Sequence, residues 1–447
     1  MKRAEPAKVR AQRFLAKMTG GKSPGWSYAN APDPRQQAKV EHPMAAIVWS
    51  LELALLSNQP TLRDAEEMTE SVGPWARRLV PEPISDTTLD TAAQRLDADY
   101  LLEQLILRVR GFHRSKMLEP VGLPCGVATV DGKNLATLDH DASGTGHARC
   151  SDNEKWHLGK TQEATRGQSY FLMPALRATL SSAEAKPCIY QLPLPVKTGE
   201  ATAFPAFLDG LKAAYGHGQM LDVIDADAGL TSLCNATRVV EAGYAYVFGL
   251  KGNQPELFSE AQKLLLPLSQ TSNPEVQTPW ESRNGKRIRR SLWRTVEMAG
   301  IENSVGKWAH LRQTWLVRQE TRMPGGTIEV EDRFFVTSLP WDYLSPAQIL
   351  LLVRNHWAVE NDCFNSLDLQ WREDAAPWCT RGTAVWSLGL LRLLAYNTAQ
   401  ILRRRRLRAK HEDGTRLEPM PWRSLFNIIA RAIEMTVACT EPICSTN

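Results

Sequence analysis

The 447-residue chain contains no apolar run near the roughly 18 residues needed to span a bilayer. Its most apolar stretches, such as Ile47–Leu56 and Ile349–Val353, fall well short. No apolar segment follows Met1-Lys2-Arg3, so a secretory leader is not expected. Cysteine is sparse, eight residues without a repeating spacing, which excludes a disulfide framework and suits reduced thiols in a cytoplasm. Cys439 and Cys444 have no histidine at zinc spacing, so a zinc site is not expected. A glycine-rich phosphate loop of nucleotide-binding type is missing. Internal repeats are absent, and an arginine run is the one low-complexity stretch. At 43% hydrophobic and 23% charged the chain is not globally disordered, and its length suits several domain-sized pieces.

Positive charge is scarce overall, net +4, but it is concentrated. Residues 1–40 hold nine Lys/Arg against Glu5 and Asp33. Residues 282–294 hold six basic side chains and no acid, among them Arg287, Arg289 and Arg290. Residues 401–410 hold six more, including Arg403 and Arg404. The remainder is therefore net acidic. Localised charge of this kind suits a polyanion bound at particular surfaces, and three clusters together favour nucleic acid over solvated faces.

Hydrophobic periodicity divides the chain into five parts. Residues 1–40, basic and broken by Gly and Pro, read as a flexible arm. Residues 41–120 read as helical, with Thr61 and Ser85 as N-caps, and suit recognition of DNA ends. Residues 121–258 give the order β-β-β-α-β-α-β, an α/β layer with mixed pairing, in which Asp131-Gly132 marks a turn after the strand GVATV. Residues 259–340 read as a mostly β insertion. Residues 341–447 open on Ser345-Pro346, an N-cap followed by proline at the first helical position, and predict one helix over 346–371 followed by a helical C-terminus.

That predicted helix carries the most informative residue. Steps of three and four from Ile349 reach Val353, His356 or Trp357, Glu360, Phe364, Leu367 and Trp371. The stripe is apolar or aromatic apart from His356 and Glu360. A carboxylate among apolar neighbours needs a partner: either it pairs with a cation such as His356, or it faces a site as a metal ligand or acid/base group. Asp362 and Asp368 lie off the stripe and are expected to face solvent. Asp131 and Asp227 each close a predicted strand, and acids there project from the carboxyl edge of a sheet, where sites in open α/β folds tend to lie. Asp225 shares the strand parity of Asp227, so their roles are interchangeable, with Asp227 favoured by the Gly two residues on. Oxygen ligands without a His/Cys cluster suit two Mg²⁺ or Mn²⁺ ions and phosphodiester chemistry. Of the 14 tryptophans, Trp357, Trp371, Trp378 and Trp386 sit at helical core spacing, which favours packing over base stacking.

Four segments in order, VDGKNL (130–135), DADAGLTS (225–232), YVFGLKGNQPEL (246–257) and RNHWAVEND (354–362) with LDLQWREDAAP (367–377), resemble the DDE transposases of bacterial insertion sequences, near the H-repeat-associated branch. The resemblance covers most of the chain from about Asp33. It implies an RNase H-like catalytic core interrupted by a β insertion, with Asp131, Asp227 and Glu360 holding two Mg²⁺ (or Mn²⁺) ions. It further implies hydrolysis at transposon ends, attack of the freed 3′-OH on target DNA, and a homodimer acting on terminal inverted repeats. Lys133, Lys251 and Asn253 fall on motif positions that contact DNA phosphates. Relatives with a Tyr and an Arg seven and four residues before the Glu, and a Lys seven after it, have Val353, His356 and Leu367 at those places here. A two-metal nuclease without strand transfer, or a non-catalytic DNA-binding derivative, would share the same pattern.

Overall fold

The computed structural model describes residues 5–20, 23–139, 161–163, 169–194, 198–283, 285–299, 308, 310–374, 378–379, 384–408 and 417–435. Cys439, Cys444 and the end of the third basic cluster lie outside these residues. The helices are α1 (Ala7–Thr19), α2 (Met44–Leu56), α3 (Leu62–Ser71), α4 (Pro74–Arg77), α5 (Asp86–Ala93), α6 (Ala98–Arg114), α7 (Glu200–Tyr215), α8 (Leu233–Glu241), α9 (Pro255–Thr271), α10 (Pro346–His356), α11 (Asn365–Trp371), α12 (Ala384–Ile401) and α13 (Trp422–Glu434). The strands are β1 (Val127–Asp139), β2 (Thr161–Glu163), β3 (Ser169–Leu180), β4 (Cys188–Pro193), β5 (Val223–Ala226), β6 (Ala245–Leu250), β7 (Val276–Gln277), β8 (Glu281–Arg283), β9 (Lys286–Thr295), β10 (Gln313–Arg322) and β11 (Ile328–Thr337).

All eleven strands belong to one mixed sheet. Its centre runs β4-β3-β1-β5-β6, with the first three antiparallel and β1, β5 and β6 parallel, which is the RNase H-like arrangement. The β insertion does not stand apart from it. β11 pairs antiparallel with β6, and β10 and β9 lie beyond it, so the insertion prolongs the same sheet. Helix α9 precedes these strands, inside a stretch expected to be mostly β.

Strand alternation separates two apolar faces. Ala128, Val130, Ile224, Ala226 and Phe248 share a core with α2, α6, α7 and α12. Val127, Val223 and Val247 point the other way, onto Ile349, Leu350, Leu352 and Val353 of α10. Every residue of α12 is buried, and it packs against α2, α6 and β4, so the N- and C-terminal helices share one core.

Three sequence expectations change. The basic arm contains α1, which packs on α13, and Trp26 and Tyr28 are 1% exposed. Arg108 stacks 3.9 Å over Trp26 and pairs with buried Glu52, which also accepts from the Tyr28 hydroxyl. Charge and Gly/Pro content hid these two aromatic anchors. Second, no turn falls at Asp131-Gly132: β1 runs through to Asp139 because β3 is paired with it along that length. Third, the helix 346–371 is broken. α10 ends at His356, and a π-helical turn, Val359–Phe364, precedes α11.

The start of α10 agrees with expectation. Ser345 Oγ accepts from the Gln348 N–H while the Gln348 side chain accepts from the Ser345 N–H, with Pro346 at the first helical position. Ser345→Ala should lower unfolding free energy by about 1 kcal/mol; an unchanged urea midpoint would show that the cap contributes nothing.

Candidate active site

The break in the helix carries the chain from one face of the sheet to the other. Ile349 and Val353 belong to the apolar cluster on one face, and Val359, Phe364, Leu367 and Trp371 to the cluster on the opposite face. Glu360 sits at the crossing, in a turn that contacts β1 and β3. A π turn adds a residue per turn and shifts the helical phase of the residues beyond it. Glu360 is consequently exposed, not buried on the stripe that regular helical spacing predicted, while the aromatics after it keep their core positions.

The two aspartates come from adjacent parallel strands. Thr129 of β1 is level with Asp225 of β5, and Val130 with Ala226, which brings Asp131 alongside Asp227 just past the end of β5. Asp227 caps the short turn Ala228–Leu230, accepting from the Gly229 N–H at 2.9 Å. Gly249 on β6 permits this: a Cβ there would lie 3.1 Å from the Ala228 nitrogen. Gly132 serves a similar end, since a Cβ on it would strike the Glu200 carboxylate at the start of α7. Burial, the largest influence, pushes the Asp131 carboxyl up to about 7; the Gly132 N–H opposes this, and Asp227, Glu360 and Glu200 push the same way. Asp227, Glu360 and Glu200 thus all lie close enough to act on the Asp131 carboxyl.

Asp225 and Asp227 are not equivalent. Asp225 is fully buried, and its Oδ2 accepts from Thr129 at 2.8 Å and meets His356 Nδ1 at 2.9 Å. Its Oδ1 has no hydrogen-bond partner among the described residues. Burial pushes the His356 pKa down, but the Asp225 charge and hydrogen bond, helped by Asp131 and Asp227, outweigh it and leave the imidazole above its ordinary value. Asp227, Glu360, His356 and Lys251 all line one cleft of about 230 Å³. Among the described residues no three His, Cys, Asp or Glu side chains form a set that could hold a metal ion as placed.

Residues 130–398 match the transposase DDE domain family, more than half of the chain. The protein belongs to that family. It is also similar to YbfL of Escherichia coli (strain K12), 24% identical over 387 residues that make up 82% of this chain and 87% of that protein. For this transposase-family chain no helix among the described residues is long and apolar enough to cross a membrane.

Several residues expected at DNA have partners within the protein. Lys133 is bound to Asp368 at 2.5 Å, which ties β1 to α11 and places Asp368 in an ion pair, not free in solvent. Asp362 likewise pairs with Lys186 and Arg404, each at 2.9 Å. The Asn253 amide donates to the Ala228 and Thr231 carbonyls, bracing the turn that holds Asp227. Arg403 donates to the Met420 carbonyl and stacks on Trp422. Alternation along β9 splits the second basic cluster: Arg287 and Arg289 lie against Trp280, with Arg289 also paired to Glu320, whereas Arg290 faces away from them. Of the tryptophans, Trp371 and Trp386 are core, but Trp357 is half-buried and lines the cleft. Glu200 and Arg354 escaped the sequence reading because neither sits in an apolar pattern that makes a charge conspicuous.

Proposed function

We propose that this protein is a cut-and-paste DNA transposase that hydrolyses phosphodiester bonds at the ends of its element and joins the freed 3′-OH to target DNA. What supports this reading is that Asp227 and Glu360 line one cleft and that both act on the carboxyl of Asp131, which lies alongside Asp227 on the neighbouring parallel strand. The donor chemistry suits hard divalent cations: it is oxygen-only, and burial, with the neighbouring carboxylates adding to it, holds Asp131 up at about 7, a penalty that a bound cation reverses. Asp131, Asp227 and Glu360 would hold two Mg²⁺ or Mn²⁺ ions, which when bound would activate an attacking oxygen and stabilise a leaving one. His356, with Nδ1 engaged by Asp225, has Nε2 left to donate to a phosphate oxygen in the cleft. Lys251, exposed at the rim, supplies a second cation. Acting on two element ends, the protein works as a homodimer on DNA.

The deciding assay supplies a duplex from the DNA flanking the gene, pre-cut to expose a 3′-OH, together with Mg²⁺ and a target plasmid. Joined product is expected. Cleavage of intact ends with no joining would reject strand transfer and leave a nuclease. The second ligand is tested separately. Asp227→Asn should abolish cleavage, while Asp225→Asn, which keeps a hydrogen-bonding oxygen beside His356, should retain part of it; the reverse order would move the ligand to Asp225.

A further inference from the structure

The arginine run after α12 reads in the sequence as a DNA contact, yet its side chains are engaged within the protein. The run forms a second π-helical turn, Leu402–Arg406, that continues α12. Arg403 donates to the Met420 carbonyl, Arg405 pairs with Glu184 at 3.1 Å, and Arg406 lies against Met117 and Phe14. Arg408, just beyond, also pairs with Glu184, at 2.6 Å. Glu184 belongs to the loop between β3 and β4, so the run clasps that loop.

Arg404 reaches further. Its Nη2 donates to Asp362 Oδ1 at 2.9 Å and its Nε to Gln400 Oε1 at 3.2 Å. Gln400 Nε2 donates to the Tyr396 hydroxyl at 3.1 Å, and that hydroxyl stands 3.2 Å from the carbonyl oxygens of both Lys186 and Asp362. Lys186 Nζ closes the circuit, donating to Asp362 Oδ2 at 2.9 Å. Tyr396, Gln400 and Arg404 follow at four-residue steps, which sets them along one face of the helix end. Lys186 has φ 45°, a left-handed conformation unfavourable to a side chain with a Cβ, and such a residue persists where its neighbours hold it. The carboxylate and the backbone carbonyl of Asp362 are thus both fixed from a distant helix.

Asp362 lies two residues after Glu360 in the same π-helical turn. Val359, Cys363 and Phe364 bury that turn, but apolar contacts are non-directional and leave its rotation poorly fixed. Glu360 is exposed, so its own side chain adds little packing. The bonds to Asp362 supply the direction that burial does not. We propose that Arg404 and Asp362, joined through Gln400 and Tyr396, are positioning residues that fix how Glu360 faces the carboxylate cleft, and that Arg404 makes no phosphate contact. The effect on cleavage rests on the function proposed above; the fixing of the turn does not.

Hydrogen–deuterium exchange of the metal-free protein, read by mass spectrometry, tests the turn. Single-turnover cleavage, beside DNA anisotropy over a range of salt, tests the consequence. Arg404→Gln and Asp362→Asn should each speed amide exchange in residues 357–364 about tenfold. Each should also slow cleavage about tenfold or more, since a misplacement of about 1 Å can cost a hundredfold. DNA affinity and its salt slope should stay parental. Arg404→Lys, which keeps the charge opposite Asp362, should restore most of the rate. The double variant Arg404→Gln with Asp362→Asn should be no slower than the slower single one, because both break the same link. Tyr396→Phe, which removes one hydroxyl and keeps the ring in the core, should speed exchange in the same segment. A salt slope shallower by about one in Arg404→Gln would make it a phosphate contact and overturn the proposal. So would multiplied losses in the double variant, or parental exchange and rate in folded Arg404→Gln. Faster exchange in Arg404→Gln, with a parent protein that cleaves no DNA, would keep the clasp and reject the proposed activity; cleavage by the parent with unaltered exchange and rate in the variants would do the reverse.

Discussion

Glu360→Gln should leave DNA binding nearly intact while cutting the rate of strand cleavage by about 10³-fold or more. The amide keeps the size and hydrogen-bonding of the side chain but removes the charge that would help hold a cation, and such an ion stabilises a transition state by several kcal/mol. Glu360 is exposed, so its replacement by glutamine is not expected to unfold the protein. Stability and catalysis are therefore separable at this position, as they are not at half-buried Asp131. The measurement is single-turnover cleavage beside an anisotropy titration on the same preparation. Cleavage at the parental rate would remove Glu360 from the site, and a parallel loss of DNA binding would assign it to recognition instead.

The second large effect is expected at the pair that anchors the segment after Glu360. Arg177, opposite Asp131 in the β1–β3 ladder, forms two bonds of 2.7 and 2.8 Å to Glu373, and both side chains are 0% exposed. Burial works against ionised Glu373, but Arg177 outweighs it and holds the carboxyl below its ordinary pKa. Glu373→Gln leaves the guanidinium buried without its counter-charge and should cost about 3–5 kcal/mol of stability. Replacing both partners with apolar residues, Arg177→Met and Glu373→Leu together, should recover part of that loss, because the Arg177 charge is no longer stranded, while buried Arg392, which also faces Glu373, still loses its counter-charge. Urea denaturation of the single and double variants checks this. A double variant no more stable than Glu373→Gln would mean that packing at the site, not the unpaired charge, dominates. Lys133–Asp368 braces the same α11 segment against β1, so two ion pairs position the turn on which Glu360 stands.

Local patterns recovered the parts of this molecule that depend on near neighbours. Ser345 and Pro346 specify the start of α10 through bonds within four residues, and Thr61 and Ser85 cap their helices in the same way. The strands β5 and β6 and the apolar stripe of α10 were legible for the same reason. Gly132 was misleading. It reads as a turn, yet its small size makes room for Glu200, which approaches from a helix nearly seventy residues later. The π turn was illegible too, because no short-range rule demands it; it exists because α10 and α11 must pack on opposite faces of one sheet.

Residue identity, order and spacing thus singled out three acids, which lie inside β1, just past β5 and in the π turn, in a chain that matches the transposase DDE domain. Tertiary structure alone decided which charges are engaged. Lys133, Asn253 and Arg403 turned inward to partners, and Lys186, Arg333 and Arg354, inconspicuous in sequence, pair with Asp362, Glu331 and Glu281 while lining a cleft with Arg290 and Arg404. The physical reason is that a charge is satisfied by whatever lies within a few ångströms, and in a mixed sheet with long crossovers those neighbours come from elements far away along the chain.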